Sequence, residues 1–249
     1  MRMIMQTIFA IFKREFMGYF QTPVAYIFLV IFLMASGSTT FFLGHFIERN
    51  QADLHAFFSF HPWLYLFLVP AVAMRLWSEE RKTGTIETLL TLPLTTLQAV
   101  LGKFLAAWVF LLVALALTSP IWLTVAFLGD PDHGAIVTSY IGSALMAGSF
   151  LAIGSYVSST TKNQVIAFIV SLAISFIFIL IGTPMILDFL AGWAPDILYN
   201  TLANFSFMTH FQFLSKGVID IQSLVFFISV ICLFLFANVM TIEWKKAND

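Results

Sequence analysis

The stretch FLAAWVFLLVALALTSPIWLTVAFLG, residues 104–129, runs between Lys103 and Asp130 without one charged side chain. A charge at the centre of a bilayer costs about 2.5–3.5 kcal/mol on insertion scales, and a crossing helix needs roughly 20 apolar residues. Residues 104–129 satisfy both conditions. Five other charge-free stretches do so too: between Glu15 and Glu48, Asp53 and Arg75, Asp132 and Lys162, Lys162 and Asp188, and Asp220 and Glu243. They predict an all-α integral membrane protein, a single domain over 1–249, with spans at 24–43, 55–75, 104–128, 136–157, 164–187 and 221–242.

Composition leads to the same class. Of 249 residues, 60% are hydrophobic and only 10% charged, where a soluble domain carries about 25%. So few charges cannot cover a soluble surface, and disorder needs low hydrophobicity and high charge. The formal net charge of −1 gives no reason to expect a nucleic-acid partner. The single Cys232 excludes an intrachain disulfide and a Cys-rich metal site. No internal repeat or low-complexity linker divides the chain.

The remaining charges set the expected topology. Arg2, Lys13, Arg14, Arg75, Arg81, Lys82, Lys103, Lys162, Lys245 and Lys246 fall on one side of the spans, and only Arg49 and Lys216 on the other. This positive-inside bias places both termini in the cytoplasm, in a multi-pass protein of the inner (plasma) membrane. Trp63, Trp122 and Trp193 fall near the outer boundary, Trp77 and Trp244 near the inner one, as an aromatic belt would. The first strong apolar run is of span length, and no small-residue cleavage site follows a short apolar core. The start is therefore not expected to be a cleaved signal peptide.

Residues 1–22 precede the first span. Ile4, Ile8, Ile11, Phe12, Phe16 and Tyr19 recur at helical spacing, with Arg2, Gln6 and Lys13 on another face. The pattern predicts an interfacial amphipathic helix ended at Thr22-Pro23. A further charge-free stretch between Asp196 and Lys216 carries Asn200, Asn204, His210 and Gln212. That polar content needs water or protein nearby and predicts a re-entrant outer hairpin between spans five and six. The fourth span is rich in small residues, with Ala144, Gly148 and Ala152 four apart beside Gly142, Ser143, Ser149, Gly154 and Ser155. Such a stripe permits close helix packing within the chain, or a movable contact beside a pathway.

Several chemistries are excluded. A phosphate-cradling loop needs glycines and a Lys-Ser/Thr pair; Gly102-Lys103 lacks the upstream glycine, and Phe104 stands where the hydroxyl belongs. The chain is not expected to hydrolyse ATP. An intramembrane protease needs a nucleophile and a base within the bilayer; spans four and five supply serines, but no His or Lys is expected in the middle of a span. The acids sit at span ends, which argues against an ion-coupled transporter. His45, His55, His61, His133 and His210 all map to the outer side and match no compact metal motif, so they are read as surface or interfacial residues.

The longest inner segment is RLWSEERKTGTIETLLTLPLTTLQAVLGK, residues 75–103. Thr83-Gly84-Thr85 reads as a turn with a potential N-cap. Ile86, Leu89 and Leu90 repeat at helical spacing, with Glu87, Thr88 and Thr91 opposite. Pro93 ends that short helix, and Thr95 or Thr96 can cap the next. The run from Glu80 to Thr95 resembles the signature of ABC-2 type exporter permeases, roughly E-x-x-x-G-T-h-E-x-L-L-x-x-P-h-[ST] with h hydrophobic. Every fixed position is matched. Within that family the chain resembles the small permeases of the gliding-motility and copper-enzyme-maturation types.

The resemblance implies a permease that moves a substrate out of the cytoplasm or inner leaflet. It implies a homo- or heterodimer of six-span subunits, embedded in membrane lipids and driven by two cytoplasmic ABC ATPase subunits. Those subunits would bind the ATP and magnesium; this chain would hold no cofactor and be no enzyme. The helix after span two would be the coupling helix docked on the ATPase. Glu79, Glu80, Arg81, Lys82 and Glu87 would set its register by charge. Ile86, Leu89 and Leu90 would anchor it, while Gly84 and Thr85 would form its turn and Pro93 its end. The alternative is a mechanotransmitting complex in which the same coupling moves a periplasmic partner.

Overall fold

A computed structural model of the chain describes residues 2–49, 51–86, 94–191, 195, 201–202, 204–218 and 220–248. Every regular element among them is a helix: α1 Arg2–Phe20, α2 Pro23–Ser38, α3 His55–Ser59, α4 His61–Ala73, α5 Arg75–Thr83, α6 Thr96–Ala116, α7 Ser119–Leu128, α8 His133–Thr160, α9 Gln164–Leu180, α10 Pro184–Ala191, α11 Phe207–Ser215 and α12 Ile221–Asn248. Among the described residues, four helical stretches are long and apolar enough to cross a membrane: Pro23–Leu43, Thr96–Leu128, His133–Thr160 and Ile221–Ala247. The first includes a π-helical turn over Thr39–Leu43.

Helix α8 is the axis of the bundle. Helices α4, α6, α9, α11 and α12 all pack on it. Its small residues explain how. In hydrocarbon no hydrophobic force draws apolar helices together, so close van der Waals approach has to do so. A Cβ on Gly148 would come within 2.9 Å of the Trp108 indole, and one on Gly142 within 3.0 Å of Leu214. A Cβ on Gly154 would come within 2.4 Å of Ala73. These glycines face α6, α11 and α4 in turn, so the stripe packs the chain on itself. The Trp108 indole N–H also donates to the Ala144 carbonyl, at 2.9 Å.

Two departures from the span pattern shape the site. The second apolar stretch is not one helix. It folds as α3 and α4, and α5 then continues through the charged residues that follow. The third begins at Thr96 instead of 104, because Thr95 and Gln98 form a reciprocal capping box. Lys103 therefore lies two turns inside α6. Helix α1 runs along α6, with Ile11 over Gly102 and the Tyr19 ring stacked 4.9 Å from that of Phe110.

Between α9 and α12 the described helices are α10 and α11. Of the stretch between Asp196 and Lys216, where a hairpin was expected, residues 197–200 and 203 lie outside the described residues, and the described part holds α11. Trp77, expected at the lipid boundary, is fully buried. His61 and His210, read as surface residues, are buried too.

Candidate functional site

The site is the α5 arm, with the ends of α1, α6, α8 and α12 gathered about it. Pro70 inside α4 leaves no N–H at its position, and the helix breaks at Met74. The backbone past the break is bound sideways to α8. The Ser158 hydroxyl accepts the N–H groups of Trp77, at 3.1 Å, and Ser78, at 3.0 Å, and donates to the Met74 carbonyl at 2.9 Å. One buried side chain thus serves three backbone groups of the α4–α5 junction. Next to it the Ser155 hydroxyl accepts from the Trp77 indole, at 3.3 Å, and from Asn238 of α12, at 2.8 Å.

The end of α8 collects cations. Arg81 of the arm donates to the Ser159 carbonyl, and Lys245 of α12 donates to the carbonyls of Ser159, at 3.1 Å, and Thr160, at 2.8 Å. The last carbonyls of a helix lack internal partners and carry the negative end of its dipole, which suits these groups.

On the other flank Lys103 is the hub. Its side chain is only 3% exposed. Its ammonium lies 2.7 Å from Glu80, 3.3 Å from Glu15 of α1, and 5.3 Å from the centre of the Trp77 ring. Three separate elements therefore meet on one buried cation. Burial by itself would raise the Glu15 carboxyl; the Lys103 ammonium and the Arg14 guanidinium outweigh it and hold that carboxyl below the ordinary carboxylate range.

The arm ends at Gly84, whose φ of 76° is left-handed and closes the helix. The Thr83 hydroxyl donates to the Glu79 carbonyl at 3.0 Å. The motif residues thus divide. Glu80 and Arg81 point into the bundle, whereas Glu79, Lys82, Gly84 and Thr85 are exposed and Ile86 is partly buried against the core. Glu87, Leu89, Leu90 and Pro93, and with them most of the expected coupling helix, lie outside the described residues.

Beside the arm, a cleft of about 600 Å³ opens between α1, α2, α4 and α5. Its walls are apolar residues of α2 and α4; charged residues of both signs from α1, α5 and α6 line one end.

Sequence reasoning passed over Lys103 and Ser158. Lys103 was counted as a span-edge charge, although a lone cation inside an apolar helix is itself a functional signal. Ser158 had no signal beyond its small size. The Ser143 hydroxyl lies 2.7 Å from both His61 Nδ1 and the Tyr65 hydroxyl. All three side chains are fully or almost fully buried, so the serine–histidine contact joins α4 to α8 as packing.

Replacing Ser158 by Ala leaves the Trp77 N–H buried without its acceptor, and takes away the second acceptor of Ser78 N–H and a donor to the Met74 carbonyl. An orphaned buried group costs about 1–3 kcal/mol. We expect S158A to lower the thermal midpoint of the purified protein in detergent clearly, where S229A, on an exposed hydroxyl bonded only to its own helix, leaves it unchanged.

With this geometry described, comparison with known proteins adds one finding. A family model described as "ABC-2 family transporter protein" matches residues 29–242. No curated protein matches the chain.

Proposed function

Since this chain belongs to the ABC-2 family of transporter proteins, we propose that it is the membrane-spanning permease subunit of an ATP-driven exporter. Its 249 residues form one transmembrane domain of six spans, the shorter α4 and α9 being the second and fifth. The basic end of the bundle is cytoplasmic, as are both termini. ATP and magnesium are bound by a separate ATPase subunit, and two permease subunits assemble on two such subunits.

The observation that carries this reading is the anchoring of α5. The segment bearing the family motif begins with a rigid lever: Ser158 and Arg81 tie it to α8, and Lys103 ties it to α6 and α1. A push on the loop beyond Gly84 would reach three helices at once. A solvated loop needs no such ties. ATP-dependent closure of the ATPase pair would thus tilt α5 and shift α8 against its neighbours.

Gly84 gives the test. Its left-handed backbone costs a residue with a side chain about 1–2 kcal/mol, and Asn pays least. Among the described residues no neighbouring atom lies within 4 Å of where its Cβ would be, so substitution there meets backbone strain first. We expect G84V to insert and fold but to lose substrate-coupled ATPase activity with its ATPase bound, and G84N to keep most of it. Wild-type coupling in G84V would remove the arm from the mechanism.

A further inference from the structure

The cleft beside α5 has the form of an amphiphile site. Its volume of about 600 Å³ lies within the range of small-molecule pockets, roughly 300–1,000 Å³. Its apolar wall includes Val24, Ile27 and Ile31 of α2, which are 44%, 56% and 48% exposed. The cleft is thus open along a span, toward the acyl chains of the surrounding leaflet. At its charged end it meets the interfacial helix α1 and the arm α5, at the level of the headgroups.

The charges there are of both signs. Arg75 and Glu79 lie one helical turn apart on α5, and both line the cleft. An opposite-sign pair at this spacing can close on itself, although a base before an acid is the weaker order. Here neither has an ion-pair partner among the described residues, whereas Glu15, Glu80 and Lys103 nearby are paired with one another. An unpaired cation and an unpaired anion about a turn apart match a headgroup that carries both charges. An anionic lipid would satisfy Arg75 and be repelled by Glu79; a cationic one, the reverse.

We propose that the cleft binds a zwitterionic phospholipid from the leaflet at its charged end. Its acyl chain lies against Val24, Ile27 and Ile31, its phosphate on Arg75 and its ammonium on Glu79. The lipid would then rest on the same arm that carries the family motif. The site is read from the cleft alone and does not depend on partnership with an ATPase.

The test uses the full chain in membrane vesicles without any ATPase. The probe is phosphatidylethanolamine with a photoreactive diazirine on one acyl chain, compared with phosphatidylglycerol carrying the same group. Labelled positions are mapped by mass spectrometry. We expect phosphatidylethanolamine to label residues 24–31 and 68–72 about tenfold more than phosphatidylglycerol, the ratio one charge-assisted hydrogen bond supplies. A71W, which fills the cleft, should abolish that labelling. R75Q/E79Q keeps the apolar walls and should abolish only the headgroup preference. Equal labelling by both lipids, labelling spread evenly over the exposed faces of α2, α9 and α12, or cross-links from Ile27 and Ile31 to a second copy of the chain would overturn the proposal.

Discussion

Lys103→Met will destabilise the bundle more than the loss of any exposed charge in the chain. The substitution is close in volume and apolar, so the packing of α6 survives. What it removes is the cation between Glu15 and Glu80, and two carboxylates are then left facing one site whose former occupant was 3% exposed. Removing one partner from a buried ion pair costs about 3–5 kcal/mol, because the other charge stays buried without compensation. Arg14 also touches Glu15, at 2.6 Å, but is 57% exposed and screened by water. The control is the triple variant E15Q/E80Q/K103M. Replacing a whole buried ionic cluster by neutral groups is often nearly neutral, so its thermal midpoint should recover most of the loss. If K103M melts like the wild type, the hub holds nothing together.

The same site predicts opposite responses to acid. In the wild type the folded Glu15 carboxyl titrates below the ordinary carboxylate range. Its stabilising contribution is therefore complete above that range and is lost as pH falls through the lower, folded value. Without Lys103, burial, already the largest influence on Glu15, is opposed by the exposed Arg14 alone, and we expect it to raise the carboxyl. The variant's penalty is then absent below the ordinary value and appears as pH rises through the raised one. Melting curves taken across this acidic range should converge as pH falls and separate as it rises. Parallel curves would mean that Glu15 does not sense Lys103.

These groups also mark where sequence reasoning stops. Hydrophobicity and charge-free length are local properties, and the apolar stretches duly fold as helices with no strand among the described residues. The amphipathic start, the break at Thr22-Pro23, a cap at Thr95 or Thr96 and the turn at Gly84 were equally legible, because each depends on a few adjacent residues; the reciprocal bond from Gln98 was not foreseen. The direction of Glu80 was not. A charged motif beside a membrane suggests a surface for a partner, yet Glu80 spends its charge inward on Lys103, which follows it by more than twenty positions. Trp77 looked like a belt residue for the same reason: distance along the chain from an apolar run does not reveal that Ser155 and Lys103 surround it. The residues of α5 favour a helix, but its attachment was not legible. Its backbone is held from outside, by Ser158 on another helix, and no pattern within residues 75–83 records that.

Gly154→Ala is the second large effect expected, and it bears on how α4 and the arm meet the central helix. The two helices are close enough there that an added Cβ comes within 2.4 Å of the Ala73 Cβ. Neither atom ends a flexible side chain, so the backbones themselves must separate. Overpacking of a well-packed core costs about 1–3 kcal/mol. Here the strain falls one residue from Met74 and within one turn of Ser158, so separation would also loosen the hydrogen bonds that hold the α4–α5 junction. Ala73→Gly removes the opposing methyl. The next contacts of a Cβ at position 154 are then Ser171 Oγ at 3.7 Å and the Ala73 Cα at 3.8 Å, both ordinary van der Waals distances. A73G alone should lose roughly 1 kcal/mol through the helix preference of glycine. Together the two changes should cost less than G154A does by itself, a coupling of opposite sign to simple addition that a double-mutant cycle on thermal midpoints resolves. Additive losses would show that the close approach of α4 and α8 at this point is not what Gly154 is for.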